Sequence, residues 1–350
     1  MSKLINKNLK TDNFELTYKI YEYNLIQNSP KLEEYRFVLL NELKKKYNLD
    51  ITKLFLLGYA ENLNNYDPVV CTNLPNISNE INTELYKIVT NIQKYSKSSQ
   101  DNTIINLKEL NDNEYLLSCS IESIPINKKT YNRIKNQTNL KQPELDKIIW
   151  CLIYRYGNLN LLTGLQGAVL PEYYKLLNDK YNSQVECFGS FMNHYYKYYF
   201  GLFYDLEKYF GCLGNFFNAE LIKGFYVANP PFDVNFMNNT FIKFTELLSR
   251  NNITLFIILP AWVIDDRKLL NNICRIKLPI DYENDLETRK LKNSKYIKKY
   301  MLFCKEDFPY YDYFKEKKIN YAPTNIVIMS SDENYSTNVS FLPKKNIIIV

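Results

Sequence analysis

From Gly224 to Trp262 the chain passes from one apolar run to another through a single amphipathic stretch. Phe225 to Ala228 and Thr254 to Leu259 are apolar almost throughout, as strands buried on both faces must be. Between them Met237, Phe241, Phe244 and Leu248 recur at steps of four, three and four, which puts them on one face of a helix. Strand, helix and strand predict a βαβ unit. The loop after its first strand opens at the carboxyl edge of the sheet, where open α/β sheets bind ligands. That loop is Asn229-Pro230-Pro231-Phe232. Two successive prolines lack N–H groups and restrain the residues before them, so they end the strand.

The hydrophobic pattern divides the rest of the chain near residue 141. Before it, Glu33 to Tyr47 predicts a helix, with Phe37, Leu40 and Leu43 on one side and Lys44, Lys45 and Lys46 complementing the dipole at its end. Thr83 to Tyr95 predicts another helix, Pro68 to Asn79 a loop, and Glu114 to Ile121 a strand. Beyond it, Glu144 to Tyr156 predicts a helix, and the turn-rich Leu162 to Pro171 leads into a second one through Leu177. Gln184 to Phe188 predicts a short strand, followed by Gly189-Ser190-Phe191-Met192-Asn193 and a tyrosine-rich helix. A strand, a turn of small residues and a helix form a cradle for a nucleoside cofactor, here without Gly-x-Gly-x-x-Gly. Asp205 and Glu207 stand 17 and 19 positions beyond Phe188. A carboxylate at a spacing of about 20 meets ribose hydroxyls in such folds, although either could equally be a surface residue. The expectation is an α/β chain: a doubly wound, Rossmann-like core over residues 142–345 behind a mostly helical accessory region over 1–141.

Composition narrows the chemistry. A chain of 350 residues, 46% of them hydrophobic, can build a full core. The net charge of +6 suits an anionic partner without demonstrating one. Lys128, Lys129, Arg133, Lys135 and Lys141 could track phosphates or form a solvated face. Seven cysteines are odd in number and never in C-x-x-C spacing, which argues against zinc and a disulfide framework. His194 is the single histidine, so a His-based catalytic pair would have to be built on it, and a packed or surface role suits it better. No secretory segment or membrane-length apolar run is present, so an intracellular, reduced protein is expected, with nucleus, cytoplasm or a viral factory left open.

Asn-Pro-Pro-Phe at a sheet edge suits methylation of a planar amine. Two acceptors, the Asn229 side-chain oxygen and the Pro230 carbonyl, can polarise an exocyclic amino group whose lone pair is delocalised, and Phe232 can stack on the base. Read with Gly164-Leu-Gln-Gly167, Glu186-Cys-Phe188 with Asn193, and Tyr209-Phe-Gly211, the chain resembles the phosphorylated-CTD-interacting-factor family of cap-specific adenosine N6-methyltransferases. The resemblance runs from about Gly164 to Asp266, and faintly to Pro323–Met329. It implies a class I methyltransferase core, S-adenosyl-L-methionine as donor, and N6 of (2′-O-methyl)adenosine beside a 7-methylguanosine cap as acceptor.

The resemblance also implies catalysis by Asn229, Pro230, Pro231 and Phe232. Donor contacts would come from Gln166, Phe188, Gly189, Ser190, Asn193 and Asp205, together with Asn229, Pro230 and Phe232. Substrate contacts would come from Trp262, Asp265 and Asp266. Trp150 and Trp262, the only tryptophans, do not form the family's two-tryptophan domain, so no binding to the polymerase tail by that route is expected. A DNA adenine N6-methyltransferase and a non-catalytic cap- or RNA-binding module are the alternatives.

Overall fold

The computed structural model describes residues 2–23, 29–61, 67–99, 101–162, 166–261, 294–335 and 348–349. The chain opens with an antiparallel hairpin, β1 (Ser2–Lys10) and β2 (Glu15–Tyr23), and then three helices, α1 (Pro30–Tyr47), α2 (Ile51–Ala60) and α3 (Asn79–Ser98). A small sheet of β3 (Asn106–Asn111), β4 (Glu114–Ser118) and β5 (Ser123–Asn127) leads to α4 (Lys128–Asn136) and α5 (Glu144–Asn158). Next come β6 (Gly167–Val169), α6 (Pro171–Tyr181), β7 (Val185–Glu186), β8 (Tyr198–Tyr199) and α7 (Tyr204–Glu207). The expected βαβ unit follows as β9 (Ala219–Ala228), α8 (Val234–Arg250) and β10 (Asn252–Pro260). The last described elements are β11 (Ile297–Phe303), β12 (Tyr310–Asp312), β13 (Lys317–Ile319), β14 (Thr324–Ser330) and β15 (Ile348–Ile349).

The large sheet runs β1-β2-β9-β10-β14-β11-β15. β9 and β10 are parallel, and β14 enters antiparallel between β10 and β11. The end of β9 also pairs in parallel with β7, which pairs in parallel with β8. Three short parallel strand ends therefore converge where the Asn-Pro-Pro-Phe loop leaves the sheet.

Both faces of β9 and β10 are covered, which is why their sequences lack alternation. Met237, Phe241, Phe244 and Leu248 of α8 pack with Tyr226, Ala228, Leu255 and Ile257 on one face. On the other, Phe225, Val227, Phe256 and Ile258 meet Tyr174 and Leu177 of α6.

Two expectations change. The amino-terminal region is helical only in part, and β2 pairs antiparallel with β9, so the large sheet crosses the boundary expected near residue 141. Leu16 and Ile20 are buried and alternate with more exposed neighbours, a strand signal carried by residues 15–23 themselves. Residues 190–197 form turns, with β8 following, in place of the tyrosine-rich helix. Local side chains capture the amides a helix would need: Ser190 Oγ accepts from Met192 and Asn193, and Glu186 Oε1 from Tyr195 and Tyr196.

A buried ion network ties the helices to the sheet edge. Glu33 of α1 lies between Arg36 and Arg155 of α5; Arg36 also meets Asp67, and Arg155 also meets Asp205. Burial alone would raise the Glu33 carboxyl, but the two guanidinium groups outweigh it and hold the carboxyl below its ordinary value. Cys71, Cys119, Cys151, Cys187 and Cys212 are not disulfide-bonded. Cys304 is disulfide-bonded, a departure from the fully reduced chain expected, because scattered spacing says nothing about which cysteines meet in space. Among the described residues no helix is long and apolar enough to cross a membrane.

Candidate active site

A cleft of about 670 Å³, open solvent included, lies at the ends of β7, β8 and β9. Its wall includes all four residues of the loop after β9. The Asn229 Nδ2 donates to the Gly167 carbonyl at 3.1 Å, which fixes the amide's orientation. Its Oδ1 is buried and has no hydrogen-bond partner among the described residues. An unpartnered buried carbonyl oxygen is costly, by about 1–3 kcal/mol, and is satisfied when a ligand presents an N–H. A Cβ at Gly167 would stand 2.3 Å from the Tyr321 ring, so a larger residue there would displace that ring from the cleft wall. Phe232 meets Tyr310 edge to face, with centroids 6.3 Å apart. Asp233 accepts from the Phe236 amide and caps α8, so the helix starts directly behind the loop.

The opposite wall is the turn after β7. Ser190 donates its hydroxyl to Gln166 Oε1 at 2.7 Å, and its amide is held by Asn193 Oδ1 at 2.7 Å. Gly189 donates to the Phe200 carbonyl at 2.8 Å, tying the turn to the end of β8. His194 stacks on Tyr199 and bonds to the Ser190 carbonyl through Nδ1. Burial pushes its pKa down to about 4, so it is neutral at pH 7 with the Nδ1 proton donated. It is a packed residue that braces the turn.

Beneath the cleft lies a buried acid. Tyr156, which lines the cleft, donates its hydroxyl to Glu207 Oε1 at 2.7 Å. Glu207 Oε2 reaches so close to Gly201 that a Cβ there would stand 2.6 Å away. Burial raises the Glu207 pKa from 4.5 to about 7, and Glu186 behaves alike for the same reason. The folded state then binds protons that the unfolded chain has released, so this contribution to stability is complete below pH 4.5 and disappears as pH rises through about 7. Urea midpoints measured from pH 4.5 to 8 should show Glu207→Gln with a shallower decline than the wild type. Equal slopes would mean that Glu207 does not titrate in this window.

Gln166, Phe188, Gly189, Ser190, Asn193, Asn229, Pro230, Pro231 and Phe232 are brought together in this cleft. Asp205 is not among them. It lies on a neighbouring cavity that shares Tyr59, Gly201 and Leu202 with the cleft, and both its oxygens accept from Arg155. Its placement explains the misleading spacing: the chain does turn acidic after β8, but the first carboxylate is used by α5. Trp262, Asp265 and Asp266, together with Gly164, lie outside the described residues. Tyr59, Tyr156, Phe236, Tyr310 and Tyr321 line the cleft without having been singled out by the sequence. With 31 tyrosines in the chain, no spacing marks these.

Comparison with known proteins places this geometry in context. The family model described as "Phosphorylated CTD interacting factor 1 WW domain" matches residues 128–278. Relatives in Mus musculus and Homo sapiens, both named mRNA (2′-O-methyladenosine-N(6)-)-methyltransferase, are 31% identical over 121 residues. The match covers 33% of this chain and 17% of each relative. Trp150, inside the matched segment, is fully buried in α5 and stacked on Tyr154.

Proposed function

We propose that this chain, related through its central segment to the phosphorylated-CTD-interacting-factor family, is an S-adenosyl-L-methionine-dependent RNA methyltransferase acting on N6 of the (2′-O-methyl)adenosine next to a 7-methylguanosine cap. One observation carries the reading most: a side-chain carbonyl, Asn229 Oδ1, is oriented by its own amide's bond to Gly167 and left without a partner in the cleft. A parallel β7-β9-β10 run covered on both faces, with β14 inserted antiparallel, supports a class I methyltransferase core.

The cleft suits both halves of such a reaction. Gln166, Phe188, Gly189, Ser190 and Asn193 would hold the donor, which supplies an electrophilic methyl group when bound. The turn they form is braced by bonds of 2.7–2.8 Å, so it needs little reorganisation on binding. Asn229 Oδ1 and the Pro230 carbonyl would accept from the two amine hydrogens, drawing lone-pair density out of the ring as the nitrogen becomes positive. Phe232 would stack on the base, a contact worth roughly 1–3 kcal/mol. The product sheds its extra proton to water, so no strong base is required. Trp262, Asp265 and Asp266 remain the proposed substrate contacts, on the resemblance alone.

Donor binding is testable by itself. S-adenosylhomocysteine should raise the melting temperature, because a ligand bound by the native state at a hundredfold excess over Kd stabilises by about 2.7 kcal/mol. An unmoved melting curve at saturating ligand would favour a binding module. The acceptor is tested by offering labelled donor with capped RNA beginning in adenosine, uncapped RNA and duplex DNA. N6-methyladenosine from the capped RNA is the expected product, and preferential labelling of the duplex would favour a DNA adenine methyltransferase.

A further inference from the structure

A second cavity lies on the other side of the β6–β12 ribbon. Tyr310 of β12 faces the cleft, whereas its neighbour Tyr311 lines a space of about 730 Å³, open solvent included, with Arg133, Gln137, Tyr195, Tyr313 and Lys318. The turn after β7 divides in the same way: Asn193 lines the cleft and Tyr195 the second cavity.

Three polar atoms of residues lining this cavity are buried and have no hydrogen-bond partner among the described residues: Arg133 Nε, Gln137 Oε1 and Tyr313 Oη. The Arg133 guanidinium is not free to turn. Its Nη1 is paired with Glu316 at 2.7 Å, and its Nη2 donates to the Met192 carbonyl at 2.8 Å. The ring of Tyr313 lies 4.7 Å beneath it. Gln137 follows one helical turn after Arg133, at the end of α4. Tyr311 is held by its hydroxyl bond to Glu316 at 2.8 Å, and Tyr195 by stacking on Tyr174. Tyr195 still exposes 39% of its surface. Lys318 and Glu172, both exposed, stand 3.8 Å apart at the rim.

A guanidinium, a carboxamide and a phenol in the wall, set among tyrosine rings with a lysine at the mouth, suit the edge, the face and the phosphate of a nucleotide. An apolar ligand would leave the three polar atoms unsatisfied, and a purely anionic one would meet the Gln137 oxygen and the Glu316 carboxylate. We propose that this cavity is a second nucleobase-binding site, separate from the methyl-transfer cleft, which takes either a free nucleotide or a base within an RNA strand. Asn229 takes no part in this site, which meets the turn after β7 through His194, Tyr195 and the Met192 carbonyl that anchors Arg133, so a variant at Asn229 separates it from the proposed reaction.

The test uses the full chain and equilibrium binding of AMP, GMP, CMP and UMP, and of an uncapped 12-nucleotide RNA of mixed sequence. The proteins are the wild type, Gln137→Leu, Tyr311→Ala and Asn229→Ala. Gln137 Oε1 bonds to no described residue, so Gln137→Leu should melt as the wild type does. The expected result is binding of at least one probe, weakened about tenfold by Gln137→Leu, as for one lost hydrogen bond in a buried site, and unchanged by Asn229→Ala. Tyr311→Ala should weaken it by a similar factor through loss of the ring face. A mononucleotide bound as tightly as the RNA would identify a free nucleotide as the occupant, and binding of the RNA alone would identify a strand. No binding of any probe at millimolar concentration would overturn the proposal, as would binding that Asn229→Ala abolishes and Gln137→Leu leaves intact.

Discussion

Asn229→Ala is expected to lower turnover about 10²–10³-fold, far more than it lowers the affinity for S-adenosylhomocysteine. The substitution removes a buried side-chain oxygen of the cleft that has no partner among the described residues, together with the bond from Nδ2 to Gly167. That second loss is the structural component of the change, and it is small: a single net hydrogen bond is worth about 0.5–1.5 kcal/mol. Asn229→Asp separates the two further. It keeps an acceptor but loses the donor to Gly167, so the group is no longer held in one orientation. Single-turnover rates with capped RNA beginning in adenosine, alongside melting curves, distinguish the outcomes. A folded Asn229→Ala protein with near-normal single-turnover rates would make the loop after β9 a structural turn.

The largest effect on stability is expected from Arg155→Ala, about 3–5 kcal/mol. Arg155 has no exposed surface, and it makes paired bonds to both Glu33 and Asp205. Without it, two carboxylates would remain buried, with Arg36 the only cation beside Glu33 among the described residues. Substituting Glu33→Gln and Asp205→Asn together with Arg155→Met removes the stranded charges as well as their partner. The triple variant should therefore recover much of the loss, since replacing a whole buried ion group by neutral side chains is often close to neutral. Urea midpoints provide the measurement. An Arg155→Ala protein as stable as the wild type would mean that water reaches the network in solution. Because Asp205 also borders the cavity next to the cleft, the single variant is expected to weaken S-adenosylhomocysteine binding only as far as it loosens α7.

The central βαβ unit was legible because each of its parts is a local matter. Apolar runs of strand length, an apolar face at helical spacing and two prolines in succession each restrict the backbone without help from distant residues. Accordingly Met237, Phe241, Phe244 and Leu248 are all buried, and β9 and β10 pair in parallel. The tyrosine-rich segment after Asn193 shows the opposite case. Its composition allows a helix, but Glu186, itself fixed opposite Val227 in the sheet, takes the amides of Tyr195 and Tyr196 and leaves none for a helical turn.

Asp205 and the hairpin β1–β2 mark the limit of sequence spacing. Asp205 stands at a distance along the chain that suits a ribose ligand, yet its partner is decided by Arg155, 50 residues earlier, and through it by Glu33 in α1. The alternation in β2 announces a strand with one buried face but not the strand it joins, which lies some 200 residues later. The sequence by itself therefore determined the central unit, the turn at its sheet edge and the residue types offered there. Only the tertiary structure decided which side chains converge on the cleft, which carboxylate is already neutralised, and which oxygen is left without a partner. Backbone conformation is set by neighbours in the chain, whereas hydrogen bonding and charge pairing are set by neighbours in space.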